Sequence, residues 1–267
     1  MTFQKINELR KKVKENSPLI HAITNPISIN QCANAALCIG AKPIMAEHPD
    51  EVSKITKTSK ALLLNLGNIT DVRIKSIMIS AKTAKENKIP AIIDLVGVAC
   101  SDLRRNFASE LLKYSPSVLK GNYSEILAFH DKSYSASGVD SDFELDVNRI
   151  KKAAVFLAKE YGCTVIASGK TDIVTNGTNI AYIKNGSYML SFVTGTGCVL
   201  GELCACFLPF DTAFNASCCA CAVLGICGEL CETNSGYASF WINVMDKLST
   251  LKDEEVKKFL KLEVLYE

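Results

Sequence analysis

Long uninterrupted apolar runs are missing from this 267-residue chain. The most apolar stretch, residues 195–231, is broken by Glu202, Pro209, Asp211, Asn215 and Glu229. A membrane span needs about 18 or more consecutive apolar residues, so none is expected. An excess of one charge is missing too. Thirty Lys and Arg stand against 28 Asp and Glu, a net charge of +2, and the signs are interspersed. Nucleic-acid binding wants a clustered basic face, so no nucleic-acid partner is expected. No run of like charge suggests a tail. No secretory leader is visible: Met1 to Ile20 is charged and reads as an amphipathic helix. A cytoplasmic location is the expectation. No linker, internal repeat or low-complexity segment divides the chain, so residues 1–267 read as one domain.

Cysteine, by contrast, is abundant, with 12 residues in all. A long chain without a leader does not fit a disulfide scaffold, and free thiols are expected. Seven of them lie between Cys204 and Cys231. A metal site would draw on Cys218, Cys219, Cys221, Cys227 and Cys231. Paired C-x₂-C knuckles and a nearby His are both absent. Small buried apolar residues on packed helices are the simpler reading.

Short continuous apolar runs alternate with helical patterns. Leu19–Ile23, Lys42–Met45, Ala61–Leu66, Pro90–Asp94, Val118–Lys120 and Thr164–Ala167 read as buried strands. Helices are expected over Ile29–Ile39, Pro49–Lys57 and Asp71–Asn87. Such alternation means a mostly parallel sheet covered on both faces. Asp172–Thr175, Ile180–Ile183 and Tyr188–Leu190 are joined by Asn176-Gly177 and Asn185-Gly186, which are hairpin signals. An antiparallel edge is therefore expected, and the end from Gly197 should be helix-rich. The fold class is a three-layer α/β domain. Ligands in such sheets bind beyond the carboxyl ends of the strands. Asn25, Met45, Asn65, Asp94, Lys120, Asn122 and Ser168 fall there.

The sharpest local signal is Val193-Thr194-Gly195-Thr196-Gly197-Cys198-Val199-Leu200-Gly201. Two glycines let the backbone approach a ligand, and an apolar helix starts at once. Its free N–H groups suit an anion. The Lys-Ser/Thr pair of a Walker A loop is missing, and the G-x-G-x-x-G spacing is not present. Read alone, a Gly-Thr-Gly turn into a helix is also an ordinary tight turn.

Four segments resemble one known family in the same order. Thr194-Gly195-Thr196-Gly197-Cys198 resembles the anion-hole motif of ribokinase-like kinases. Most of that superfamily has a catalytic Asp where Cys198 stands; hydroxyethylthiazole kinases have Cys. Pro18–Asn25, Gly40–Glu47 and Lys120-Gly121-Asn122-Tyr123-Ser124-Glu125-Ile126 resemble that family's N-terminal, substrate and R-G-N-x-x-E-I segments. The match spans roughly residues 17–230. Three positions depart from the pattern: Lys120 replaces the usual Arg, Ser168 the usual Thr, and Leu95–Cys100 the usual Pro-Val-Gly-Val-Gly-Ala.

The resemblance implies a ribokinase-like fold and transfer of the γ-phosphoryl of ATP to the primary alcohol of 4-methyl-5-(2-hydroxyethyl)thiazole, in thiamin salvage. It implies Mg²⁺ near Asp94 and Glu125, held through water. ATP would meet Lys120, Asn122, Ser168 and Thr196, and Asn25, Met45 and Gly195 would line the thiazole pocket. Gly195, Thr196 and Gly197 would bracket the transferred group, and Cys198 would sit against the substrate hydroxyl. It also implies a homotrimer with the pocket at the subunit boundary, held near Asn25–Ala36 and Met45–Pro49. Each residue has a plainer reading: Asp94 capping a helix, Glu125 an ordinary first-turn acid, Met45 core filling, His21 a satisfied interior histidine. Three rival functions stand beside this one. A hydroxymethylpyrimidine or pyridoxal kinase usually carries Asp at the position of Cys198. A thiol enzyme using Cys198 as nucleophile lacks an evident His partner. A nucleotide-binding protein without activity is left open by the departures at Lys120 and Leu95.

Overall fold

The computed structural model describes residues 1–131, 134 and 146–266. In chain order it runs α1 (Phe3–Asn16), β1 (Leu19–Ile23), α2 (Ile29–Cys38), β2 (Lys42–Ile44), α3 (Val52–Thr58), β3 (Ala61–Asn65), α4 (Asp71–Glu86) and β4 (Ala91–Asp94). It continues with α5 (Asp102–Leu111), β5 (Val118–Asn122), α6 (Tyr123–His130), α7 (Val147–Tyr161), β6 (Thr164–Ser168), β7 (Asp172–Thr175) and β8 (Asn179–Ile183). The last part is α8 (Thr196–Phe207), α9 (Ala213–Leu230), α10 (Tyr237–Thr250), α11 (Asp253–Phe259) and β9 (Leu262–Tyr266). The nine strands form one sheet in the order β2-β1-β3-β4-β5-β6-β7-β8-β9. The first six pair in parallel and the last three antiparallel.

Strand side chains alternate between two faces, and the core divides accordingly. Ile20, Ala22, Leu63, Ile92, Val118 and Ile166 pack with α1, α2, α8, α9 and α10. Ile23, Leu62, Leu64, Ile93, Leu119 and Val165 pack with α4, α5, α6 and α7. Both layers cover the sheet, which is why the strands read as continuous apolar runs rather than alternating ones.

Two sequence expectations are corrected. Tyr188–Leu190 was expected as a strand after an Asn185-Gly186 hairpin. Tyr188–Phe192 is instead a short 3₁₀ turn, and the partner of β8 is the C-terminal β9. Asn185 explains the difference. Its Nδ2 donates to the Phe259 carbonyl at 2.7 Å and its Oδ1 accepts from the Lys261 amide at 2.8 Å. Asn185 thus docks the incoming C-terminal strand rather than closing a two-residue turn. The C-terminal part is helix-rich up to that strand.

α9 is 18 residues long and apolar enough to cross a membrane by composition, yet 78% of it is buried inside the fold. Cys218, Cys219, Cys221 and Cys227 on α9 are buried free thiols. They act as small apolar residues where helices pack closely. Among the described residues no group of three or more His, Cys, Asp or Glu is arranged to hold a metal.

Candidate active site

Register brings the first polar row together. Asn65 on β3 is the cross-strand partner of Asp94 on β4, and Asp94 is the partner of Lys120 on β5. All three share parity with Leu63, Ile92 and Val118, so they point to the α8 face. They sit at the carboxyl ends of parallel strands, where such sheets bind ligands.

Lys120 Nζ donates to Asp94 Oδ1 at 2.9 Å, and Asn65 Nδ2 donates to Asp94 Oδ2 at 2.8 Å. Both ionic side chains are nearly without solvent contact. Burial pushes the Asp94 carboxyl up, while Lys120 and Asn65 pull it down. Burial works against the Lys120 ammonium, but Asp94, Glu125 and Cys198 outweigh it and hold Lys120 above its ordinary value. We take the pair as ionised, because each charge is matched at hydrogen-bonding distance. Asp94 therefore does not cap the next helix; Ser101 caps α5.

α8 begins above this row. Gly195 is its N-cap at φ +88°, a left-handed conformation that favours glycine. A side chain there would overlap Gln31 Oε1 and crowd Ser28 Cβ at 3.0 Å. Gly197 lies over the row itself, since a Cβ there would stand 3.2 Å from Lys120 Nζ. The first turn of α8 thus stands close to the Lys120 ammonium, and a helix N-terminus beside a cation is the setting for an anion. The Thr196 hydroxyl donates to the Leu190 carbonyl at 3.1 Å.

Cys198, in the first turn of α8, is buried. Its sulphur accepts from Asn25 Nδ2 and from Asn65 Nδ2, each at 3.3 Å. Burial and Asp94 push the thiol up; Lys120, Ser28 and Asn25 pull it down. Ser28 Oγ, near that sulphur, has no partner of hydrogen-bonding geometry, and neither do Thr24 Oγ1 and Gln31 Oε1. These three buried oxygens, with Asn25, mark the polar wall between the β1 end and the Gly195 turn.

Glu125 makes two structural contacts. It forms a capping box with Asn122 at the start of α6, as a first-turn acid does. Its other oxygen accepts from the Gly97 amide at 2.9 Å, so it also fixes the loop after β4. Burial pushes Glu125 up to about 7, with Lys120 pulling it down. Ser168 and Asn122 are cross-strand partners on β6 and β5, so both belong to the same rim, but the Ser168 hydroxyl is engaged with the Gly121 carbonyl at 3.3 Å.

Met45 stands apart from these contacts. It follows β2, on the far side of β1, and is partly buried against the core. Its segment is held from both sides. His21 bridges Thr56 Oγ1 and the Ala46 carbonyl, both at 2.9 Å, so it is the satisfied interior histidine expected. Arg73 Nε donates to Glu47 at 2.8 Å, and Ser76 Oγ donates to the Glu47 carbonyl at 2.6 Å. His48 and His130 are exposed, and neither is hydrogen-bonded to a Ser or Cys in the described contacts. The residue that sequence reasoning left without a role is Asn65. It was visible only as one polar residue among several at strand ends.

Residues 10–254 match the family model described as the Hydroxyethylthiazole kinase family. Hydroxyethylthiazole kinase 2 of Clostridium botulinum (strain Hall) is 46% identical over 265 residues, which cover 96% of this chain and 98% of that protein. The solved hydroxyethylthiazole kinase of Pyrococcus horikoshii OT3 superposes with a TM-score of 0.91 at 29% identity, over 98% of this chain and 99% of that one. A ribokinase-like superfamily protein of Enterococcus faecalis V583 superposes with a TM-score of 0.65 at 12% identity, over 94% of this chain and 95% of that one, a likeness of fold alone.

Proposed function

The chain belongs to the hydroxyethylthiazole kinase family, and from that premise we propose how its residues move the γ-phosphoryl group of ATP to the primary alcohol of 4-methyl-5-(2-hydroxyethyl)thiazole in thiamin salvage. The observation that supports the assignment of roles is the continuous polar chain Asn25–Cys198–Asn65–Asp94–Lys120 beneath the start of α8. Gly195, Thr196, Gly197 and Cys198 present backbone N–H groups to the transferred group. Lys120 supplies positive charge beneath it. Phosphoryl transfer needs little covalent help from the protein, so positioning and charge neutralisation carry the rate.

The alcohol oxygen forms the new P–O bond. The bond from the γ-phosphorus to the bridging oxygen breaks, and its electron pair leaves with ADP. The alcohol proton goes to the Cys198 sulphur as thiolate. Asn25 and Gly195 line the alcohol side, with Met45 on the rim beyond β1. Asn122, Ser168 and Thr196 take the nucleotide side.

Two buried carboxylates, Asp94 and Glu125, offer hard oxygen donors of the kind Mg²⁺ prefers. Both already accept hydrogen bonds, which fits a metal held through its water shell. When bound, Mg²⁺ neutralises phosphate charge.

A homotrimer with the pocket at its boundary is part of the same reading. Ile27, two residues after Asn25, and Leu37, at the far end of α2, are 58% and 56% exposed and supply apolar surface along that segment. Light scattering should report three copies; a stable, active monomer overturns that part. Residues 1–267 act as one domain in a cytoplasmic enzyme.

The experiment is a turnover assay with ATP, Mg²⁺ and a panel of alcohols. The thiazole alcohol should give a phosphate ester and ADP in equal amounts. Much faster turnover of a pyridoxal or hydroxymethylpyrimidine substrate would overturn the substrate assignment.

A further inference from the structure

We infer that Asn65 is a positioning residue for phosphoryl transfer: with Asn25 it fixes the Cys198 sulphur as a hydrogen-bond acceptor and ties it to the Asp94–Lys120 pair. The inference rests on the kinase reading above. An asparagine amide can usually be turned around without changing its shape. Neither of these two can. Asn65 Oδ1 accepts from the Gly67 backbone amide at 2.9 Å, and its Nδ2 faces the Asp94 carboxylate at 2.8 Å. Turning the amide would set N–H against N–H and oxygen against carboxylate.

Asn25 is pinned in the same way. Its Oδ1 accepts from the backbone amides of Ile27 and Ser28, each at 3.1 Å. Its Nδ2 is thereby left for Asn65 Oδ1 at 3.1 Å and for Cys198 at 3.3 Å. Three backbone amides from two loops thus dictate the direction of both side-chain donors at the sulphur. With two N–H groups aimed at it, the sulphur offers its remaining direction to a third group. Any proton on sulphur must point away from both asparagines. Asn65 also spends its other N–H on Asp94, so the sulphur and the ion pair cannot shift independently. A buried side chain with every polar atom satisfied is a rigid spacer.

The test is a double-mutant cycle. Asn65→Asp keeps an oxygen for Gly67 and Asn25 and loses the donor to Cys198; placed 2.8 Å from Asp94, its carboxyl holds a proton that serves that neighbour. Thermal unfolding checks that each variant folds, and Asn65→Ser, which buries no charge, serves where Asp does not. The expected result is a kcat lower by about 10²-fold, with KM for ATP and for the alcohol changed by less than about threefold. In a Cys198→Ala background the same change should cost less than about twofold, because the group being positioned is gone. Wild-type kcat in the Asn65 variant, or an equal loss in both backgrounds, overturns the inference. Where the double variant has no measurable turnover, alkylation of Cys198 followed by peptide mass mapping decides. Slower modification in the Asn65 variant supports the donor role; unchanged or faster modification overturns it. An inactive wild type would instead overturn the kinase reading, so the two failures are separable.

Discussion

Lys120 Nζ lies 2.9 Å from Asp94 Oδ1, between cross-strand partners on β5 and β4, with side chains 4% and 0% exposed. Removing one member leaves the other buried and uncompensated. Lys120→Met should destabilise the protein by about 3–5 kcal/mol. Lys120→Met with Asp94→Leu should recover much of that stability and none of the turnover. Urea unfolding and the kinase assay on both variants check this. A recovered rate in the double variant would remove the pair from the reaction.

Cys198 is the second case. Cys198→Ala should lower kcat by about 10²–10⁴-fold without unfolding the protein. Cys198→Asp should keep or raise it, since a carboxylate accepts from the same two amides. Because burial and Asp94 push the thiol up, little thiolate is present at neutral pH, and wild-type kcat/KM should rise as pH increases. The Asp variant should reach its plateau at lower pH. A covalent thiol mechanism predicts a dead Asp variant and a mass adduct on the wild type.

Glu202 lies in α8 with no solvent exposure, and neither of its carboxyl oxygens has a hydrogen-bond partner. Burial pushes it up to about 8 from an ordinary 4.5. The folded state then holds a proton that the unfolded chain releases above about pH 4.5, so this residue's contribution to stability falls as pH rises from there to about 8. Glu202→Met should flatten that slope and raise stability at pH 8 by about 1–3 kcal/mol. Unfolding free energies of both proteins across pH 5–9 check it, and parallel curves would refute it.

Gly195 and Gly197 should separate under the same substitution. Gly195→Ala puts a side chain into the left-handed region at φ +88° and against Gln31 and Ser28. It should cost about 1–2 kcal/mol of stability before any effect on ligand. Gly197→Ala meets only Lys120 Nζ at 3.2 Å. It should fold normally and lose turnover, because the methyl group occupies the approach to the anion site. Melting temperatures and kcat/KM for the two variants distinguish these outcomes.

Much of this was written in the sequence itself. Apolar runs such as Ala61–Leu66 and Pro90–Asp94 specify parallel strands buried on both faces, because water is excluded from either side of such a strand. The Gly-Thr-Gly-Cys start of an apolar helix announced a close backbone approach and free N–H groups. The Asn176-Gly177 hairpin held because that turn is local. Asn185-Gly186 did not make a turn, because its partner strand lies 76 residues on, at Lys261 and beyond. Which side chains face one another was likewise decided only by tertiary structure. Asn65, Asp94 and Lys120 share a row because three strands pair in one register, a property of the sheet rather than of any segment. The direction of the donors at Cys198 comes from backbone amides at Ile27, Ser28 and Gly67. Those lie more than 130 residues before the sulphur they aim at, and hydrogen-bond direction is fixed only once such distant groups are held in place.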